Sequence, residues 1–289
     1  MNKQQTLRST AEFSGIALHT GARARLKLQP APENSGIVFR RVDLPGGPEV
    51  RALAGNVVDA RRGTTIGNDK AVVYTIEHIM SALHAHHIDN AVVEMDGLEP
   101  PIADGSAQAY VEMIAQAGIV EQDAPARILN IDKTFTVFAG GTRVVVAPCR
   151  EEHPDCLEIA CMASFPGCPY DPQYEEFEIT PESYDREIAP ARTFVDYRDL
   201  SQLLAMGLVK GGSLDAAAIL HDGAIICKDR LRFKDEIVRH KILDLIGDLY
   251  LCGARVHASV VAIKPGHLRN VETAGKILAD AAGKQRREQ

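Results

Sequence analysis

The chain has 289 residues, 45% hydrophobic and 25% charged, an ordinary globular composition with room for one large domain or two smaller ones. A net charge of −7 and the lack of Trp argue against a nucleic-acid binder held by phosphate contacts or base stacking. The N-terminus has no apolar leader and no apolar run approaches the roughly 20 residues that span a bilayer, so a cytoplasmic protein is expected; a monomer is the expected state, though no feature of the sequence sets it.

Phe13 to Gly21 reads as a strand and tight turn, and Ala22 to Leu28 alternates apolar and basic residues as a half-exposed strand does. Gly36 to Arg40 is a further strand. The Pro- and Gly-rich Leu44–Arg51 reads as a loop, and Arg61–Ile66 as a strand near the surface. A helix capped by Thr75 runs to His86, a strand covers Asn90–Met95, and another helix runs from Asp104 to about Ala117. The polar, proline-bearing Glu121–Ala126 is the expected domain boundary. Beyond it come a hairpin around Gly140-Gly141, a strand at Leu157–Phe165, a helix ending near Leu249, a strand at Ala258–Ile263, a Pro-Gly-His loop, and a helix from about Asn270 to Ala282.

Each half thus reads hairpin, strand, insertion, helix, strand, loop, helix. The expected fold is α+β: two similar domains, 1–124 and 125–289, each a small sheet packed on helices. The second carries a βαβ insertion, about 189–228, which either covers the sheet or walls an apolar groove. Cys156, Cys161 and Cys168 lack CxxC spacing, so reduced thiols are expected.

The stretch Arg232–Leu249 carries the densest chemistry. On a helix, His240, Asp244 and Asp248 fall at i, i+4 and i+8 with Lys241 beside them, all within roughly 100° of arc. The rest of the turn is apolar, so the helix is buried and its polar strip needs partners. Imidazole and carboxylate four residues apart can reach one metal ion, and salt bridges could equally close the strip. Glu77-His78 offers a third ligand and a neighbouring base, or is a helix start with an incidental His. The two histidines sit near the starts of equivalent helices of the two halves, which could meet at a domain interface.

Several motifs, in order along most of the chain, resemble one family. They are Gly15-Ile-Ala-Leu-His-Thr-Gly21, Thr75-Ile-Glu-His78, Asp104-Gly-Ser106, Ala191-Arg-Thr-Phe194, Gly211-Gly-Ser213, Leu231-Arg-Phe233, Val238-Arg-His-Lys-Ile-Leu-Asp244 with Ile246-Gly-Asp-Leu249, and Lys264-Pro-Gly-His267. The chain is similar to the UDP-3-O-acyl-N-acetylglucosamine deacetylases, zinc amidases of the committed step of lipid A synthesis. The resemblance implies that His78, His240 and Asp244 bind one zinc (ferrous iron is a possible metal in cells). It implies Glu77 as general base, and His267, bonded to Asp248, as electrostatic or acid group. Lys241 would lie near the reacting amide and the sugar diphosphate, and Thr193 would hold the oxyanion. Leu18, Phe194, Gly212 and Ser213 would contact a nucleotide-sugar lipid substrate. Arg61-Arg62-Gly63-Thr64 stands where some members have larger apolar residues near the entrance, and Pro166–Asp171 replaces the usual His-Pro-bearing loop.

Three protein ligands leave one zinc position for water, whose pKa zinc lowers to about 7. Two other classes share the ligand set. The facial triad of non-haem iron oxygenases is also two histidines and a carboxylate, but usually in a jelly roll and with no use for Glu77. A metal-stabilised acyl-sugar binder would have a closed four-ligand site.

Overall fold

The computed structural model describes residues 2–153 and 155–288, with side chains described to residue 282. The fold is α+β, as the sequence predicts. Its main helices are α1 (Glu77–Ala85), α2 (Gln108–Ala117), α3 (Tyr197–Ala205), α4 (Glu236–Leu249) and α5 (His267–Glu288).

Two five-strand paths repeat one pattern. The first runs Ala11–Ile16, Arg23–Pro30, Ala91–Met95, Ile37–Arg41, Glu49–Arg51; the second runs Phe135–Ala139, Thr142–Ala147, Arg255–Ile263, Leu157–Ala163, Gln173–Glu178. In both, successive pairings are antiparallel, antiparallel, parallel and antiparallel. In both, the central strand is the one that follows a site-bearing helix, α1 or α4. The expected period of two holds: Ala24, Leu26 and Leu28 point into the core while Arg23, Arg25 and Lys27 lie outside it.

Several local expectations shift. Glu49–Arg51, read as loop, is an edge strand, and the surface strand Arg61–Ile66 shrinks to Thr65–Gly67, with Thr64 and Ile66 fully buried. Thr75 does not cap α1. It takes a left-handed backbone, φ 52°, costly for a β-branched residue, and its hydroxyl donates to Glu99 instead. Glu121–Ala126, expected as the domain boundary, lies mostly in the strand Ile119–Pro125, which pairs with the N-terminal strand Lys3–Leu7. Its alternating exposure suits an edge, and composition alone does not distinguish an edge strand from a loop. The strand Gln173–Glu178 is polar at four positions and has no apolar period to announce it. His267 opens α5 rather than lying in the loop before it.

The two site helices pack directly on each other. All of α1 is buried, and all of α4 except Arg239 and Lys241. His84 Nδ1 lies 3.1 Å from the Ile246 carbonyl, and the His84 ring stacks on Tyr250 at 4.5 Å. Gly247 makes this crossing possible, since a Cβ there would stand 2.1 Å from the Glu77 carbonyl oxygen and 3.1 Å from the Ser81 nitrogen. Alanine would gain about 1 kcal/mol of helix propensity. The backbone collision costs more than that, because neither helix can yield without opening the core. Gly247→Ala is therefore expected to lose about 1–3 kcal/mol net in denaturant unfolding, and turnover with it. An unchanged midpoint would mean that the helices have slack the packing does not show.

The insertion forms the parallel pair Phe194–Asp196 and Ala218–His221 around α3, the expected βαβ unit, with Ala224–Ile226 added antiparallel. It docks on the first half through Gly105, whose carbonyl accepts from Thr193 N at 2.8 Å and where a Cβ would overlap the Ala216 carbonyl.

Candidate active site

Three elements deliver the polar cluster: the start of α1 (Glu77, His78), the middle of α4 (His240, Lys241, Asp244, Asp248) and the first residue of α5 (His267). Spacing on α4 places His240 Nε2 3.4 Å from Asp244 Oδ1, and the helix crossing brings His78 Nε2 to 3.9 Å from the same oxygen. The imidazoles meet edge to face at 5.0 Å. One ligand atom from each of His78, His240 and Asp244 lies within 4.8 Å of the others, and all three residues are buried. Donors about 2.0–2.1 Å from a tetrahedral zinc are about 3.4 Å apart, so the residues fit the ion with small movements.

Their protonation fits as well. Burial, reinforced by the neighbouring His240, pushes His78 down to about 3, and burial also lowers His240. Both rings are neutral at pH 7, as ligation requires. His240 turns its Nδ1 to the Ala191 carbonyl at 3.1 Å, which leaves Nε2 for the cluster. Among the described residues, buried His78 Nδ1 has no hydrogen-bond partner. Asp244 is costly to bury, but Lys241, 2.8 Å from Oδ2, and the histidines hold its carboxyl far below the usual range.

Glu77 adjoins these residues. Burial raises it to about 7, opposed by the His267 cation. Its Oε2 accepts from Thr64 N at 2.8 Å, and its Oε1 lies 3.9 Å from His267 Nε2. His267 Nδ1 lies 2.9 Å from Asp248 Oδ2. Burial alone would lower His267, but Asp248, Asp244 and Glu77 overcome it and hold the ring up at about 10. Asp244, Asp248 and the partly protonated Glu77 thus face two cations (Lys241, His267), and a divalent ion would favour the ionised form of Glu77.

A cavity of about 340 Å³ opens on this cluster. Leu18, Phe165, Thr193, Phe194, Leu203 and Val209 line it, so the insertion does wall a partly apolar groove. Lys241 Nζ stands 5.2 Å over the Phe194 ring. The Ala191–Phe194 motif is tied to the start of α4 by a buried ion pair, Arg192 Nε to Glu236 Oε1 at 2.8 Å. Truncating Glu236 leaves a buried guanidinium unpaired. Glu236→Ala is expected to cost about 3–5 kcal/mol in chemical unfolding, and a loss below about 1 kcal/mol would contradict that reading.

The sequence-derived set divides on placement. Glu77, His78, Thr193, Phe194, Leu18, His240, Lys241, Asp244 and His267 all line the cavity, and Asp248 stands behind His267. Gly212 and Ser213 do not line it; they are exposed on the turn whose Gly211 N donates to the Leu18 carbonyl. Sequence reading named Thr64 only within the entrance string and gave Glu99 and Asn270 no site role. Asn270 Nδ2 donates to Asp248 Oδ2 at 3.0 Å, and Glu99 accepts from His19 N and Thr20 N at 2.9 and 3.1 Å. Nothing in spacing marks these three, because their partners lie far along the chain. Arg61 and Arg62 do stand at the cavity mouth, with Arg62 paired to Asp199 of α3 at 3.1 Å.

Two neutral imidazoles and a carboxylate, flanked by an unligated carboxylate and a cationic imidazole beside a groove, define a metal-dependent hydrolase. A model of the family LpxC, UDP-3-O-acyl N-acetylglycosamine deacetylase, matches residues 4–279, and the chain belongs to that family. It is 42% identical over 277 residues to the UDP-3-O-acyl-N-acetylglucosamine deacetylase of Myxococcus xanthus, covering 96% of this chain and 87% of that one. The proteins of the same name from Chlamydia abortus and Stenotrophomonas maltophilia are 41% and 40% identical, with 95% and 97% of this chain covered and 96% and 92% of theirs.

Proposed function

We propose that this protein hydrolyses the N-acetyl group of UDP-3-O-(3-hydroxyacyl)-N-acetylglucosamine, giving acetate and the free amine, the committed step of lipid A biosynthesis. The observation that carries the reading is the pairing of Glu77 and His267, at 3.9 Å, beside the three-residue cluster in a partly apolar cavity. His78, His240 and Asp244 would hold zinc, or ferrous iron in cells, and the ion would supply electrophilic catalysis. Glu77 takes the proton of the attacking water at its carboxylate. The Thr193 side chain faces the oxygen on which charge develops. His267, held cationic by Asp248, stabilises that charge and gives its Nε2 proton to the departing nitrogen. Lys241 fixes Asp244 and adds positive charge toward the diphosphate. Leu18 and Phe194 pack the sugar and chain, and Gly212 and Ser213 shape the turn beside them. In an iron oxygenase or a passive acyl-sugar binder, Glu77 would have no task.

The two sheets of equal topology support a division at residues 124/125 into two domains. No described helix is long and apolar enough to cross a membrane. A monomer acting in the cytoplasm is the arrangement we propose. The test is acetate release from the acylated nucleotide sugar by zinc-loaded protein, beside the unacylated sugar. A folded, metal-loaded protein that releases acetate from neither would sink the reading.

A further inference from the structure

Thr64 is fully buried, and each of its polar groups is engaged by a different part of the site. Its carbonyl accepts from Ile76 N at 3.2 Å, at the start of α1. Its N–H donates to Glu77 Oε2 at 2.8 Å. Its hydroxyl donates to Asp248 Oδ1 at 2.5 Å. The residue before it sits close against the same carboxylate, since a Cβ on Gly63 would lie 3.0 Å from Glu77 Oε1. One residue therefore binds both the carboxylate beside the metal cluster and the carboxylate behind His267.

The two oxygens of Asp248 are served differently. Oδ2 takes His267 Nδ1 and Asn270 Nδ2, whereas Oδ1 takes the Thr64 hydroxyl. Asp248 is wholly buried, so bulk water cannot replace that donor. We propose that Thr64 is a positioning residue of the hydrolytic reaction. Its hydroxyl fixes the plane of the Asp248 carboxylate, and so the direction of the His267 ring, while its backbone fixes Glu77 at the matching distance. This role rests on the function proposed above. It deepens that function by making the 61–64 loop, and not only the helices, set the separation of base and acid. Threonine suits the position because a hydroxyl is needed for the donor and the methyl fills a dry site.

Thr64→Val removes the hydroxyl and keeps shape, N–H and carbonyl. It is expected to lower kcat about 10- to 100-fold, the worth of one hydrogen bond to a buried charge, with KM moving less than about threefold. Thr64→Ser, which restores the donor, recovers most of the turnover. In an Asp248→Asn background the valine substitution adds little, because the two residues act through one bond. In 15N-histidine spectra of the metal-free protein, the His267 Nδ1–H resonance, held downfield by Asp248, moves upfield or broadens in Thr64→Val and returns in Thr64→Ser. A valine variant with near-normal kcat and an unmoved resonance overturns the proposal. So does a serine variant as impaired as the valine one, which would mean that the methyl's packing matters and the hydroxyl does not. The spectra decide the positioning role even if wild-type protein releases no acetate, a result that would count against the proposed function instead.

Discussion

Glu77→Ala is expected to lower kcat by about 10²–10⁴ with KM little changed and the fold intact. The substitution removes the carboxylate that stands 3.9 Å from His267 Nε2 and beside the three-residue cluster, while Glu77 meets Gly247 of α4 through its backbone, which alanine keeps. The site's design also predicts the converse for stability. Burial raises Glu77 to about 7, above its value in an unfolded chain. A carboxyl raised in this way stabilises the fold while protonated, and that contribution is lost as pH rises from about 4.5 to about 7. Metal-free Glu77→Gln should therefore unfold later than metal-free wild type above pH 7 and show a flatter pH dependence below it. Wild-type turnover in Glu77→Ala would remove the general base from the mechanism. A Gln variant with the wild-type stability profile would mean that the buried carboxyl is better solvated than its surroundings indicate.

Removal of the metal is expected to abolish acetate release, and about one equivalent of zinc should restore it; His240→Ala should lie beyond rescue. Unlike a small zinc domain, the metal-free protein should remain folded, because the ligands sit on helices whose other faces are buried in the core. The pKa directions make a sharper claim about protons. His78 is pushed down to about 3 and His240 is also lowered, so neither ring has a proton to give up at pH 7. Glu77, raised to about 7, is partly protonated there, and an incoming dication favours its ionised form. Calorimetric zinc binding in buffers of different ionisation enthalpy should thus show a proton release at pH 7 that is smaller in Glu77→Gln, the remainder coming from water on the zinc, whose pKa is about 7. A release that is the same in the variant would take Glu77 out of the proton count and contradict the burial argument.

Much of this was legible in the chain before its fold was known. Helical period put His240, Lys241, Asp244 and Asp248 on one strip of an otherwise apolar helix, and the α4 geometry follows directly from that spacing. The repeat of elements in the two halves reappears as two sheets with the same pairing order. Local chemistry was decisive there because a period is a property of neighbours. Where tertiary partners compete with local preference, the sequence misled or was silent. Thr75 has every quality of a helix cap, yet Glu99, 24 residues away, takes its hydroxyl. Glu121–Ala126 has a linker's composition, yet the N-terminal strand supplies a pairing edge for most of it. The chain by itself determined the class of fold and the polar strip of α4, and its resemblance to one family singled out His78 and Glu77. Only the tertiary structure decided how those residues are held. The hydroxyl of Thr64 reaches Asp248 across 184 positions, the Ala191 carbonyl orients His240, and Gly247 sets how closely α1 approaches α4. Such contacts depend on chain crossing, and no local pattern encodes a crossing.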